Sequence, residues 1–370
     1  MKKLKYILIL QIGIIANVYA QLIPIDTAHW DISANAYMIE PHGGVNSIYL
    51  QAGTMLLKDQ EFSNGTIEFD IWLKPEQSFP GIYFRLDEST LNAEEFYIRP
   101  HLPGKPDANQ VGPMFRGLAA WQLNFGPKYS FPYEYHYDDW THVKIVVVDD
   151  KAQVFLDHGK EPNLSWFLFT ENKSGKIVLR GGNQSGMHIA NIRVNHERPQ
   201  LLNFNPIERG PVEGLIENWE ISEKFEEQVL SDPTRLSNTI KDIKWQGILG
   251  IDEGTAANIS RIQKLNDGKA GNTVFARVII ESDKAQMKRL DFGYSDRVMA
   301  ILNGKPIYQG DNGYRSRDYR YLGTIGFFDS IFLDLKKGRN ELLMAVSESF
   351  GGWLITGKFK DSSGLKITVK

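Results

Sequence analysis

The chain has 370 residues, of which 42% are hydrophobic, 24% charged and 12% aromatic, with a formal charge of -3 and no cysteine. The length suffices for two domains with packed cores, and the near-balanced charge supplies no basic field for nucleic acid. The missing cysteines exclude disulfides, thiolate metal sites, a thiol nucleophile and a cysteine-linked lipid anchor.

In chain order, the first element is a targeting segment. Lys2, Lys3 and Lys5 precede an apolar run from Tyr6 to Ala16, and Val18-Tyr19-Ala20 has the small-residue form of a cleavage site. Residues 1–20 are therefore expected to be a signal peptide, with the mature chain starting at Gln21 and residing in the periplasm or outside the cell. No later segment has the length of a membrane-spanning helix, so no span is expected in the mature chain.

Strand follows strand after that. GTIEFDIWL from Gly65, GIYFRL from Gly81, EFYIRP from Glu95, THVKIVVVDD from Thr141, KAQVFLD from Lys151, GKIVLRG from Gly175 and MHIANIRV from Met187 alternate with period two. Ser63-Asn64-Gly65, Asp149-Asp150-Lys151 and Gly181-Gly182-Asn183 supply turns between them. Short strands at this spacing predict an antiparallel sandwich or jelly roll. The pattern stops near Arg198, where residues 199–215 read as a Pro-containing linker. SEKFEEQVL from Ser222 to Leu230 is expected to be a helix, with Ser222 as its cap. Strands then resume at Thr273–Ser282, Arg297–Gly310, Ser330–Glu348 and Gly352–Phe359, with Asn303-Gly304 as a hairpin turn. Trp353 is expected in a core or at an interface.

The order GTIEFDIWL, GIYFRL, EEFYIRPH, WQLNFG, WTHVKIVVVDDKAQVFLDH, GKIVLRGG, IANIRV resembles the concanavalin A-like lectin/glucanase fold, nearest its laminin-G-like members in exported bacterial proteins. VMAILNGKPIY, FLDLKKGRNELLMAV and GGWL in the second half resemble a galactose-binding-like β-sandwich. The expected fold is thus all-β: a concanavalin A-like jelly-roll sandwich over 21–198, a linker over 199–215, and a galactose-binding-like sandwich over 216–370. The first fold hosts lectins, hydrolases and lyases, so the resemblance implies carbohydrate chemistry without choosing among them.

Candidate site residues follow from strand parity. Tyr83 and Arg85 fall on one face of their strand, and Tyr97, Arg99 and His101 on one face of the next, while Phe96 and Ile98 turn to the core. Gln122 and Asn124 have the parity to join them, and Leu102 to Gln110 would form the wall of the groove. Aromatic rings, guanidinium groups and amides suit a sugar, and the arginines suit an acidic one. The competing expectation is that the arginines pair with Asp87, Glu88, Glu94 or Glu95. Glu68 and Asp70, two apart on one strand, are the candidate hydrolase carboxylates, though the third acid of the E-x-D-x-x-E pattern of this fold's glycosidases is missing. His101 with Tyr97, Arg99 and Gln122 has the residue types of a polysaccharide lyase, without its spacing. The chain contains no HExxH, and no cofactor or metal ligand is assigned; a structural calcium would leave little trace in a sequence. GDNGYRSRDYRYLG from Gly310, with Tyr314, Arg315, Arg317, Tyr319, Arg320 and Tyr321, reads as a glycan-contacting or domain-docking segment. The favoured reading is an exported carbohydrate-binding protein. The alternatives are a glycan-active hydrolase or lyase, and a docking module with no small ligand.

Overall fold

The computed structural model describes residues 21–183, 185–314, 316 and 324–369. The proposed signal peptide therefore lies outside the described residues, as do Arg315, Arg317, Tyr319, Arg320 and Tyr321 of the basic-aromatic segment.

The first half contributes strands β1 (Gln21–Leu22), β2 (Trp30–His42), β3 (Val45–Leu57), β4 (Gly65–Trp72), β5 (Gly81–Asp87), β6 (Asn92–Ile98), β7 (Asn109–Phe115), β8 (Leu118–Ala119), β9 (Trp140–Val148), β10 (Lys151–Leu156), β11 (Leu164–Phe167), β12 (Lys176–Arg180) and β13 (Met187–Asn195). All pair antiparallel in the order β11-β10-β9-β4-β13-β3-β12-β5-β6-β7-β8, with β2 on β3 and β1 on β13. β3 belongs to both layers of the sandwich. Its residues 47–50 pair with β13, and its residues 54–56 pair with β12. Between the two stretches, Ala52 adopts φ 45° and bends the strand. Ile67, Phe69 and Ile71 from β4 and Val143, Ile145 and Val147 from β9 share one buried core with Ile82, Phe84, Phe96, Ile98, Ile177 and Leu179 from the other layer. Period-two alternation dictates this, because each strand has one apolar face to bury.

The second half contributes β14 (Asn218–Ser222), β15 (Trp245–Gly250), β16 (Ala257–Asn258), β17 (Thr273–Ser282), β18 (Gln286–Tyr294), β19 (Arg297–Leu302), β20 (Lys305–Asp311), β21 (Asp329–Leu335), β22 (Gly338–Ser347), β23 (Leu354–Phe359) and β24 (Leu365–Thr368). β15-β14-β17-β22-β19-β20, with β24 on β17, faces the four-stranded sheet β16-β23-β18-β21. Residues from both sheets, Trp353 among them, meet in a second core. Asn303 and Gly304 turn the β19–β20 hairpin with φ 50° and 80°, as a type I′ turn requires. The all-β expectation holds.

The helix is displaced from its expected place. Ser222 ends β14, and α1 spans Pro233–Asp242. Asp232 caps it, accepting from the backbone of Thr234 and Arg235, and Pro233 takes the first helical position, where its missing N–H costs nothing. The Asp-Pro start is the stronger signal, and the apolar residues of Ser222–Leu230 instead supply a 3-10 turn at Glu227–Ser231.

The two halves touch. Ala120 and Leu123 pack with Ala256, Ile325 and Leu354. Glu253 accepts from the Tyr129 hydroxyl at 2.6 Å and pairs with Lys128 at 2.6 Å.

Candidate functional site

Two rows of side chains cross the outer face of the β12–β5–β6–β7 layer. Arg180, Gly81, Tyr97 and Gln110 are successive cross-strand partners, and Val178, Tyr83, Glu95 and Gly112 form the next row. Gly81 leaves its row without a side chain, so Arg180 reaches across it. The guanidinium of Arg180 lies 5.1 Å from the Tyr83 ring centre and 5.4 Å from that of Tyr97. It donates to the Tyr83 hydroxyl at 2.5 Å and the Phe79 carbonyl at 2.8 Å, and pairs with Glu95 at 2.9 Å. Arg99 lies 4.8 Å from the Tyr97 ring centre. It donates to the Tyr97 hydroxyl at 2.6 Å, to the Gln110 side-chain carbonyl, and to the Asp107 carbonyl at 2.8 Å. Tyr97 in turn donates to Gln110 at 2.7 Å, and the Gln110 amide donates to the Trp121 carbonyl at 3.0 Å and to that of Asn124.

The charges in this network are unequal. Glu95 neutralises Arg180, whereas among the described residues Arg99 donates only to neutral oxygens. Burial raises the Tyr83 phenol, with Glu95 adding to it, and burial raises Tyr97 to about 12, so both stay protonated. The face thus presents fixed donors, two phenols and one uncompensated cation.

The expected site residues divide. Tyr83, Tyr97 and Arg99 meet on this face. Arg85 does not, and this corrects the parity expected from GIYFRL. A bulge between Phe84 and Asp87 puts Arg85 at φ 51°, and its guanidinium is buried against the carbonyls of Ser63, Asn172 and Asp149. β6 ends at Ile98, so His101 sits in the following turn. Its ring meets Phe79 edge-on at 5.4 Å, and Tyr97 meets the same Phe79 at 6.1 Å. Burial, together with the nearby Arg99 charge, lowers the His101 pKa and favours the neutral ring. Gln122 and Asn124 lie in a turn rather than a strand. Gln122 faces the second half of the chain, accepting from the Gly352 N–H at 2.6 Å. Asn124 stands over Gly112, and both polar atoms of its side chain are buried without a partner among the described residues. An uncommitted amide of this kind costs about 1–3 kcal/mol unless something bonds it.

Two members of the network were not expected as contacts: Arg180, and Gln110, which was expected only at the end of the groove wall. Gln110 falls in NQVGPMF, whose Gly and Pro read as a loop; β7 has only two-residue β8 along its outer side, where Pro113 is tolerated. Arg180 was visible within a strand, but its neighbours depend on β12 pairing with β5, which spans most of the domain.

Glu68 and Asp70 occupy the opposite layer. Asp70 is paired with His142 across β4–β9, and the His142 ring lies 2.7 Å from Asp70 and 3.5 Å from Glu68. Asn191 donates to the second Asp70 oxygen at 2.6 Å, and His158 stacks on His142 at 3.9 Å. The hydrogen bond from His142 draws Glu68 below its usual range. Burial works against ionisation of Asp70, but His142 and Asn191 outweigh it and lower its pKa. Burial opposes the His142 cation too, yet hydrogen bonds to both carboxylates raise it to about 9. Both carboxyls are thus held as carboxylates beside a protonated His142 near neutrality. A cavity of about 390 Å³ adjoins it, lined by Tyr133, His136, Trp140 and Asp157 among others. No group of three or more His, Asp or Glu among the described residues is arranged to hold a metal ion, and no described helix is long and apolar enough to cross a membrane.

Residues 27–195 match the family described as the 3-keto-alpha-glucoside-1,2-lyase-like domain, which relates the first sandwich to carbohydrate chemistry. No curated protein matches the chain. Among solved structures, a carbohydrate-binding module from Bacillus subtilis shares 15% identity, covering 44% of this chain and 93% of its own, at a TM-score of 0.36. A laminarinase from Flavobacterium sp. UMI-01 shares 13%, covering 47% and 99%, at 0.33. A Bacillus subtilis protein of unknown function with a galectin-like fold shares 12%, covering 46% and 90%, at 0.33.

Proposed function

We propose that the protein is exported and that its first domain, residues 21–198, recognises a glycan bearing an acidic group on the outer face of β5, β6, β7 and β12. The observation that carries this reading is the pair of arginines beside the Tyr97 ring, one neutralised by Glu95 and one without a carboxylate partner among the described residues. Arg99, held by neutral oxygens through both terminal nitrogens, keeps its charge and its Nε–H for an anion, and a guanidinium so fixed loses little entropy on binding. The half-buried Tyr83 ring lies beside Arg180 to contact a sugar. Calorimetry with mono- to trisaccharides of galacturonate and glucuronate, beside neutral counterparts, tests it. Arg99→Ala removes a charge-assisted bond of about 1.5–3 kcal/mol, so acidic ligands should bind roughly ten- to a hundred-fold more weakly. Equal affinity in the variant would remove Arg99 from the site, and no binding by the wild type would end the reading.

A second reading draws on the matched family's description. A 1,2-lyase acting on a 3-keto-α-glucoside takes the C2 proton, which the C3 ketone acidifies, and expels the C1 substituent. Neutral His101 has the protonation state of the base, and Arg99 the charge to steady an enolate. Incubation with a 3-keto-α-glucoside, followed by ultraviolet absorbance of the unsaturated ketone, checks this. Absence of product, or undiminished product with His101→Ala, would count against it.

A further inference from the structure

The loop from Ser349 to Gly352 belongs to the second sandwich but is fastened to the first. Gln122 accepts from the Gly352 N–H at 2.6 Å and donates to the Phe350 carbonyl at 3.3 Å. From its own side, the Phe350 N–H donates to Glu348 at 2.7 Å and Asp296 at 3.1 Å. Between them, Gly351 adopts φ 111°, and a Cβ there would stand 1.7 Å from the Gln122 amide. No other residue fits without breaking the junction.

This loop holds Phe350 out, 60% exposed. With Tyr314, 41% exposed, Phe350 forms a contiguous aromatic patch rather than a lone exposed ring. It faces Trp121 at 6.4 Å and Tyr314 at 5.8 Å, and Trp121 and Tyr314 lie 6.4 Å apart. The chain ties this ring set to the polar network, because the Trp121 carbonyl accepts from the Gln110 amide and the Gln110 carbonyl accepts from Arg99 and Tyr97.

Resting on the glycan reading above, we infer that Trp121, Tyr314 and Phe350 form a second subsite, which stacks on the pyranose ring next to the one held at Arg99. The ligand class is therefore an oligosaccharide of at least two residues, and the second sandwich supplies part of its site. Rings present flat apolar area to the C–H face of a sugar and order few rotors in doing so.

The test is calorimetry on the full chain with galacturonate, digalacturonate, glucuronate and a glucuronate-containing disaccharide. Wild type should bind a disaccharide at least about tenfold tighter than its monosaccharide. Phe350→Ala should erase that gain while leaving monosaccharide affinity unchanged, and Phe350→Tyr should keep it. Arg99→Ala should weaken both ligands. Thermal unfolding confirms that each variant is folded. Disaccharide and monosaccharide binding equally to wild type, or a gain surviving in Phe350→Ala, overturns the subsite and leaves the Arg99 site standing. Absence of binding by every ligand to wild type overturns both.

Discussion

Arg85 and Arg99 carry the same group and were expected in the same groove, yet one is a structural clamp and the other a candidate ligand contact. What separates them is a single bulge residue, which period-two counting cannot see. Tyr97 and Arg99 were legible because β6 is regular up to its last residues. His142 was not legible as a partner of Glu68 and Asp70, because cross-strand pairing with β9 decides it. Its pH behaviour can be measured. With a folded pKa of about 9 against an ordinary 6.5, the stability it contributes is complete below about pH 6.5 and fades as pH rises through 9. Glu68 and Asp70, both lowered, contribute above their ordinary values of 4.5 and 3.8 and lose that contribution as pH falls. Imidazole NMR titration should place His142 near 9, and Asp70→Asn should bring it back toward 6.5. An ordinary value in the wild type would contradict the pairing.

At the level of elements, strands with one apolar face were read well, and those with two mixed faces were not. β4 alternates buried and half-buried along its length, and β9 does so over its first half, and both were expected. β2 is exposed along most of its length, so WDISANAYMIEPH carries no apolar period and went unread. β7 was concealed by Gly112 and Pro113. The central role of β6 predicts its energetics. Phe96 is wholly buried in the first core, so Phe96→Ala should cost about 3–5 kcal/mol. Urea unfolding measures this directly, and a loss under about 1 kcal/mol would mean that the core closes over the gap.

For the molecule as a whole, the all-β character was legible but the fit between its two halves was not. Junction residues such as Gln122, Tyr129 and Glu253 carry no periodicity that marks them, and their partners lie more than a hundred positions away. The aromatic subsite proposed at Phe350 therefore rests on contacts that neither half makes alone.

The strand order has a kinetic consequence. β13 lies between β3 and β4 although it is the last strand of its sandwich. During synthesis, β3 and β4 must wait for more than a hundred residues with their central edges bare, open to pairing with other chains. A chain stopped at Gly186 should aggregate, as light scattering would report, and adding a synthetic Met187–Asn195 peptide during refolding should suppress that loss. Nascent copies of this protein thus pass through a stage in which a holding chaperone is of most use, ending when residue 195 emerges.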